Sequence, residues 1–213
     1  AERILPDPET ARMLAATLKR AGREEDLLAL LRRAAAEHAA LEPDLERALE
    51  EAGRFDELAE RLAGRPPREG ESPADLLREL ARVHADGRGD DGAAIEALER
   101  ARRLEPGDAR IRDDLTELYR GRGAWPEVVA LLSERVAATR DPDEVAALRL
   151  RLAEIQAGAT GDRRGAVETL LAPFDGVEPP PGKAAQLLAA AQRLAAGDAA
   201  LESRCLEHRA AGA

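Results

Sequence analysis

Asparagine is absent from this 213-residue chain, lysine occurs only at Lys19 and Lys183, and cysteine only at Cys205. One cysteine excludes an internal disulfide and fits a reducing compartment. Arginine carries nearly all the positive charge, a bias that fits a GC-rich coding sequence and a bacterial source. Aromatic residues make up 2%, so a core must be built from leucine and alanine rather than stacked rings. No run of about 18 apolar residues occurs, so no span of a membrane is expected. The chain begins Ala-Glu-Arg-Ile-Leu-Pro, with no basic-then-apolar leader. A cytoplasmic location is the expectation. The missing initial Met suggests a processed form or a piece of something longer. Positive charge is also in deficit, with a net charge of −10. That argues against nucleic acid and against anionic lipid, since both need a surplus of Lys and Arg on one face.

What is present is helix-forming. Hydrophobic residues reach 44% and charged ones 35%, with abundant Ala, Leu, Glu and Arg and few β-branched residues. Helix-period segments alternate with glycine-containing breaks. The expected helices run from about Pro8 to Ala21, Glu24 to Glu37, Glu42 to Ala52 and Phe55 to Ala63. After a break they resume at Pro73–Asp86, Gly92–Leu104, Ala109–Arg120, Pro126–Thr139, Pro142–Ala157 and Arg163–Ala172. A last pair covers Lys183–Ala195 and Asp198–Ala210. The pattern predicts an all-α chain of twelve helices in six antiparallel hairpins, without strands. Composition suggests hairpins over 1–63, a linker at 64–72 open to proteolysis and further hairpins over 73–172. A Pro-rich loop at 173–182 and a terminal hairpin at 183–213 complete the division.

The breaks repeat. Ala21-Gly-Arg-Glu-Glu-Asp-Leu27 is matched by Ala52-Gly-Arg-Phe-Asp-Glu-Leu58. Leu76–Leu98 aligns without a gap on Leu148–Leu170, with identities at Leu76, Leu80, Ala81, Ala85, Gly89, Asp90, Ala94, Glu96 and Leu98. Such matches are expected where one helix hairpin is built twice. Within the segment Leu80–Pro106, the residues Ala81, Gly89-Asp90, Ala94, Leu98, Ala101 and Pro106 resemble the tetratricopeptide repeat. Ala153, Gly161-Asp162, Ala166 and Leu170 do so again, and Tyr119, Gly123, Trp125 and Leu132 do so in part, with Val128 where alanine is usual. In two of these hairpins the small positions lie one residue further apart than in the family pattern, suggesting an extended first helix. Phe55 and Trp125 stand two residues after their glycines, where the family often places a ring that plugs the hairpin.

The resemblance implies an α-solenoid, a right-handed superhelix whose first helices line a concave groove that holds a peptide or helix of another protein. On that geometry Arg78 and Arg82 share one face of the fifth helix, while Arg110, Asp113, Glu117 and Arg120 line the seventh. Arg78 and Arg82 would grip an acidic peptide. The competing reading of these charges is a solvated face paired internally. A scaffold or adaptor is the leading function, with a regulatory segment of a larger bacterial protein, such as a signalling kinase, as the alternative. A helical enzyme of unfamiliar type is the third.

Other motifs have plainer readings. Gly87-Arg-Gly-Asp-Asp-Gly92 spells G-x-G-x-x-G, but a dinucleotide loop follows a strand, and the segment before it reads as helix. Its Arg88-Gly89-Asp90 tripeptide is better explained by a turn than by adhesion. Cys205 and His208 are two potential metal ligands, and a zinc site needs three or four. Ser72, Ser133 and Ser203 lack a nucleophile-elbow context. No catalytic residue, metal or cofactor is expected.

Overall fold

The computed structural model describes residues 7–175 and 181–211, and these form twelve α-helices with no strand among them. They fall into two compact units that divide between Ile111 and Arg112. The first unit holds α1 (Pro8–Arg20), α2 (Glu24–Glu37), α3 (Glu42–Glu51), α4 (Phe55–Gly64), α5 (Pro73–Arg82), α6 (Asp91–Leu104) and the start of α7 (Ala109–Gly121). The second holds the rest of α7, α8 (Trp125–Ala138), α9 (Pro142–Gly158), α10 (Arg163–Leu171), α11 (Pro181–Ala195) and α12 (Ala199–Ala211). Every expected helix is present, with ends shifted by a residue or two. Residues 176–180 of the expected Pro-rich loop lie outside the described residues, and its start, Ala172–Asp175, is a single 3-10 turn.

Local chemistry sets the helix ends. Asp7, Asp90, Asp141 and Asp162 each accept a backbone N–H in the first turn of the helix they precede, satisfying donors that have no partner inside the helix. Ser72 and Asp75 form a reciprocal capping box at α5. Glycines in the left-handed region close the hairpins. At Gly53 (φ +66°) the next N–H, of Arg54, returns to the Leu49 carbonyl, the six-to-one bond of a Schellman turn.

Two hairpins depart from that turn in the same way. The Asp90 N–H reaches His84 O at 2.8 Å and the Asp162 N–H reaches Gln156 O at 2.7 Å, one residue further back than in the Gly53 turn. α5 absorbs the extra residue as a π-type turn over Val83–Gly87, a wider coil that fits one more residue before the glycine. The extension anticipated from residue spacing therefore has a definite form.

The two hairpins also bury the same residues. Leu76 and Leu148 are 8% and 7% exposed, Ala81 and Ala153 2% and 1%, and Ala94 and Ala166 both 0%. Alanine at these contacts lets α5 approach α6, and α9 approach α10. α2 buries Leu27, Leu28, Leu30, Leu31, Ala34 and Ala35 because it packs on both α1 and α3. Each buried leucine contributes about 2 kcal/mol.

The aromatic rings seal neighbouring hairpins to one another. Phe55 packs against Gly87, where an added Cβ would lie inside the ring's van der Waals surface. Trp125 packs on the cluster of Val128, Leu132, Leu148 and Leu152, which joins α8 to α9.

The 64–72 stretch lies inside the first unit and is not where the two units divide. Its backbone is tied down by charge. Arg65 meets Glu46 at 3.0 Å and Glu71 at 2.6 Å, and Arg68 meets Glu46 at 2.7 Å. The Arg65 and Glu46 side chains are only 14% and 12% exposed. Glu71 also accepts the Arg68 backbone N–H, and the Arg65 guanidinium holds its carboxyl below the usual range.

Candidate functional site

The six charged residues singled out in the sequence fall on both sides of the division. In the first unit, Arg82 on α5 lies 2.6 Å from Glu79 and 2.8 Å from Glu50 of α3. Both carboxylates raise its pKa further. Arg110 lies 2.7 Å from Asp108 and 3.1 Å from Asp75. Arg78 is half-buried on α5. In the second unit, Arg120 meets Glu117 at 3.0 Å on α7, and Asp113 meets Arg135 of α8 at 3.2 Å. Internal pairing thus accounts for Arg82, Arg110, Asp113, Glu117 and Arg120. The partners differ from a simple run along one helix, because Asp113 pairs with α8 and Arg110 with Asp75 and Asp108.

Asp113 and Glu117 nevertheless line a groove. In the second unit α7, α8 and α9 enclose a depression of about 220 Å³. α7 contributes Arg112, Asp113, Thr116 and Glu117, α8 contributes Leu131, Leu132 and Arg135, and α9 contributes Arg151. Thr116 is buried and donates its hydroxyl to the Arg112 carbonyl at 2.8 Å, which leaves no orphan polar group in the floor. Arg135 is consumed at the back of the groove, held by Asp113 and by Glu144 at 3.1 Å. Arg112 and Arg151 are different. Neither guanidinium makes a hydrogen bond or ion pair with any described residue. Asp113 and Glu117 are neutralised by Arg135 and Arg120, so the charge left to the groove is that of Arg112 and Arg151.

A second depression of about 230 Å³ lies on the other side of α9, floored by Leu150, Ala153, Leu170, Ala190 and Leu194 and rimmed by Glu154 and Arg193. Glu154 and Arg193 are likewise without a partner among the described residues.

Sequence reading missed Arg112 and Arg151. A signal existed for the second: the 72-residue register that matches the buried residues puts Arg151 on Glu79 and Glu154 on Arg82, so the charges are exchanged where the apolar positions agree. No comparable signal marks Arg112.

The remaining motifs resolve into structure. Gly87–Gly92 turns the chain between α5 and α6, with Arg88 bridging to Asp56 at 2.8 Å and to the His84 ring at 2.9 Å. Burial beside Arg88 lowers the His84 pKa. Cys205 is buried in α12, which raises its pKa, and the His208 ring lies tilted 6.2 Å from that of Phe174. Arg149, half-buried on α9, donates to the Thr169 carbonyl at 2.9 Å. No described helix is long and apolar enough to cross a membrane.

No model of a known protein family matches the chain, and no curated protein does. Solved structures give distant likenesses. A kinesin light chain tetratricopeptide-like repeat protein of Podosopora anserina is 19% identical, covering 95% of this chain and 93% of that one, with a TM-score of 0.44. The C-terminal part of a tetratricopeptide repeat-containing protein from Cytophaga hutchinsonii is 12% identical over 94% and 80%, at 0.46. A tetratricopeptide protein of Thermus thermophilus is 20% identical over 95% and 98%, at 0.36.

Proposed function

We propose that this chain is a binding scaffold that holds a segment of another protein rather than turning over a substrate, and that the second unit receives an acidic stretch of that partner. The observation that carries the reading is the pair Arg112 and Arg151, which face one groove while their neighbouring charges are consumed internally. A guanidinium presents a planar fork of donors that matches a carboxylate, and two of them give a ligand direction as well as charge. The chain as a whole is acidic, so an acidic ligand meets general repulsion and depends on this local pair. The sequence-derived site at Arg78 and Arg82 is less favoured, since Arg82 already spends its charge on Glu50 and Glu79.

The test is fluorescence anisotropy with a fluorescein-labelled peptide carrying four consecutive glutamates. Arg112→Glu with Arg151→Glu is expected to weaken binding at least tenfold while leaving the melting curve unchanged. Binding by the wild type should also fall as salt screens the pair. Equal affinity for wild type and double variant contradicts the reading.

A further inference from the structure

We infer that the bound segment carries a large apolar side chain about three extended residues from its acidic stretch, seated in the groove between α9 and α11. This rests on the acidic-segment reading above and adds a second determinant to it.

Both grooves flank one exposed stripe of α9. Arg151 and Glu154 are three residues apart and both exposed, so they stand on the same face of the helix. Arg151 borders the groove toward α7, and Glu154 borders the one toward α11. A chain lying across α9 at Arg151 therefore meets the second groove next. Packed helices are about 8–10 Å apart, and an extended chain covers about 3.3 Å per residue, so the two grooves are about three residues apart along such a ligand.

The second groove differs in chemistry from the first. Leu150 and Leu194, both partly buried, form apolar walls over Leu170, Ala153 and Ala190. The alanines leave the space that a larger side chain would fill. On the rim Glu154 and Arg193 stand without partners and sum to zero charge, so the rim favours neither a basic nor an acidic ligand residue. Burial of apolar surface then decides what enters. The first groove fixes an acidic group and the second selects an aliphatic or aromatic one.

The experiment extends the tetraglutamate probe with one leucine placed one, three or seven residues beyond the last glutamate, in a Gly-Ser background. For the wild type, the leucine three residues on is expected to tighten binding about tenfold over a serine there, and the other spacings much less. Ala190→Leu, which fills the groove from its floor, is expected to abolish that advantage and leave the affinity of the leucine-free peptide unchanged. Leu150→Ser, which removes a wall, should have the same effect, so either folded variant suffices. If the leucine-free peptide binds through Arg112 and Arg151 but leucine adds nothing at any spacing, this inference is overturned and the acidic site stands. A leucine advantage that peaks at one or seven, or that survives Ala190→Leu and Leu150→Ser, also overturns it. Failure of every peptide to bind overturns both.

Discussion

α5 and α9 are the same helix in their buried half and different helices in their exposed half. Offset by 72 residues, Leu76, Leu80 and Ala81 coincide with Leu148, Leu152 and Ala153, all buried. On the outer face, Glu79 and Arg82 become Arg151 and Glu154. In α5 the two charges close on each other, and Arg82 extends to Glu50 of α3. That bond belongs to a series: Arg12 to Asp44 and Lys19 to Glu51 link α1 to α3 at the same 32-residue interval. In α9 neither charge has a partner among the described residues. The lesson is that stacking of hairpins fixes the apolar positions, while the exposed charges are free to serve either the stack or a ligand. Exposed pairs contribute little to stability, about 0–1 kcal/mol each, so exchanging them costs the fold almost nothing.

The equivalence of the buried halves is tested by the largest expected effect. Ala94→Trp and Ala166→Trp each force a ring into a fully buried helix contact and should each cost on the order of 3 kcal/mol, read as a fall in melting temperature. A wild-type melt for one but not the other would break the correspondence between the hairpins.

Next is the charged cluster at 64–72, which has no counterpart in the second unit among the described residues. Glu46→Ala removes the carboxylate shared by Arg65 and Arg68 and should cost about 2 kcal/mol, since it strands mostly buried cations. The intact protein should resist cleavage there, and the variant should be nicked between Gly64 and Pro73. Rapid cleavage of the wild type at that stretch would show that its composition outweighs its contacts.

Gly87→Ala sharpens the comparison further. The matching position in the second hairpin is Ala159, but Gly87 alone meets Phe55. The substitution should cost about 1–2 kcal/mol, and Phe55→Leu in the same chain should recover part of it. An unchanged melt would show that the ring moves aside freely.

The smallest effect comes from exchanging the surfaces. Glu79→Arg with Arg82→Glu places a carboxylate against Glu50 and should lower stability by under about 1 kcal/mol. Arg151→Glu with Glu154→Arg should stay within about 0.5 kcal/mol of wild type. A larger loss in α9 than in α5 would mean that Arg151 and Glu154 serve the fold after all.

Much of this architecture was legible in the sequence. The helix ends are written in local chemistry: Asp or Ser before a helix, Pro in its first turn and Gly after it, as at Asp7-Pro8 and at Gly53. The extra residue before Gly89 and Gly161 was readable as spacing, though not as a π-type turn. The pairing of charges was not legible, because it depends on side chains reaching across helices 32 or 35 residues apart. Arg82 and Arg110 look available along their own helices and are consumed by α3 and α5. Arg112 and Arg151 stand out only once every other pair is drawn. The 64–72 stretch misleads for the same reason: Pro, Gly and charge suggest a linker, while the arginines and glutamates are what bind it to α3.

The most direct measurement sets the two units against each other. Binding of the labelled tetraglutamate peptide is compared for Arg112→Gln with Arg151→Gln and for Arg78→Gln with Arg82→Gln, each with its melting curve. Loss of at least tenfold in affinity for the first pair, with a change of less than twofold for the second, is the predicted result. Loss confined to the Arg78 and Arg82 variant, in a protein that still melts normally, would contradict the assignment and return the site to α5.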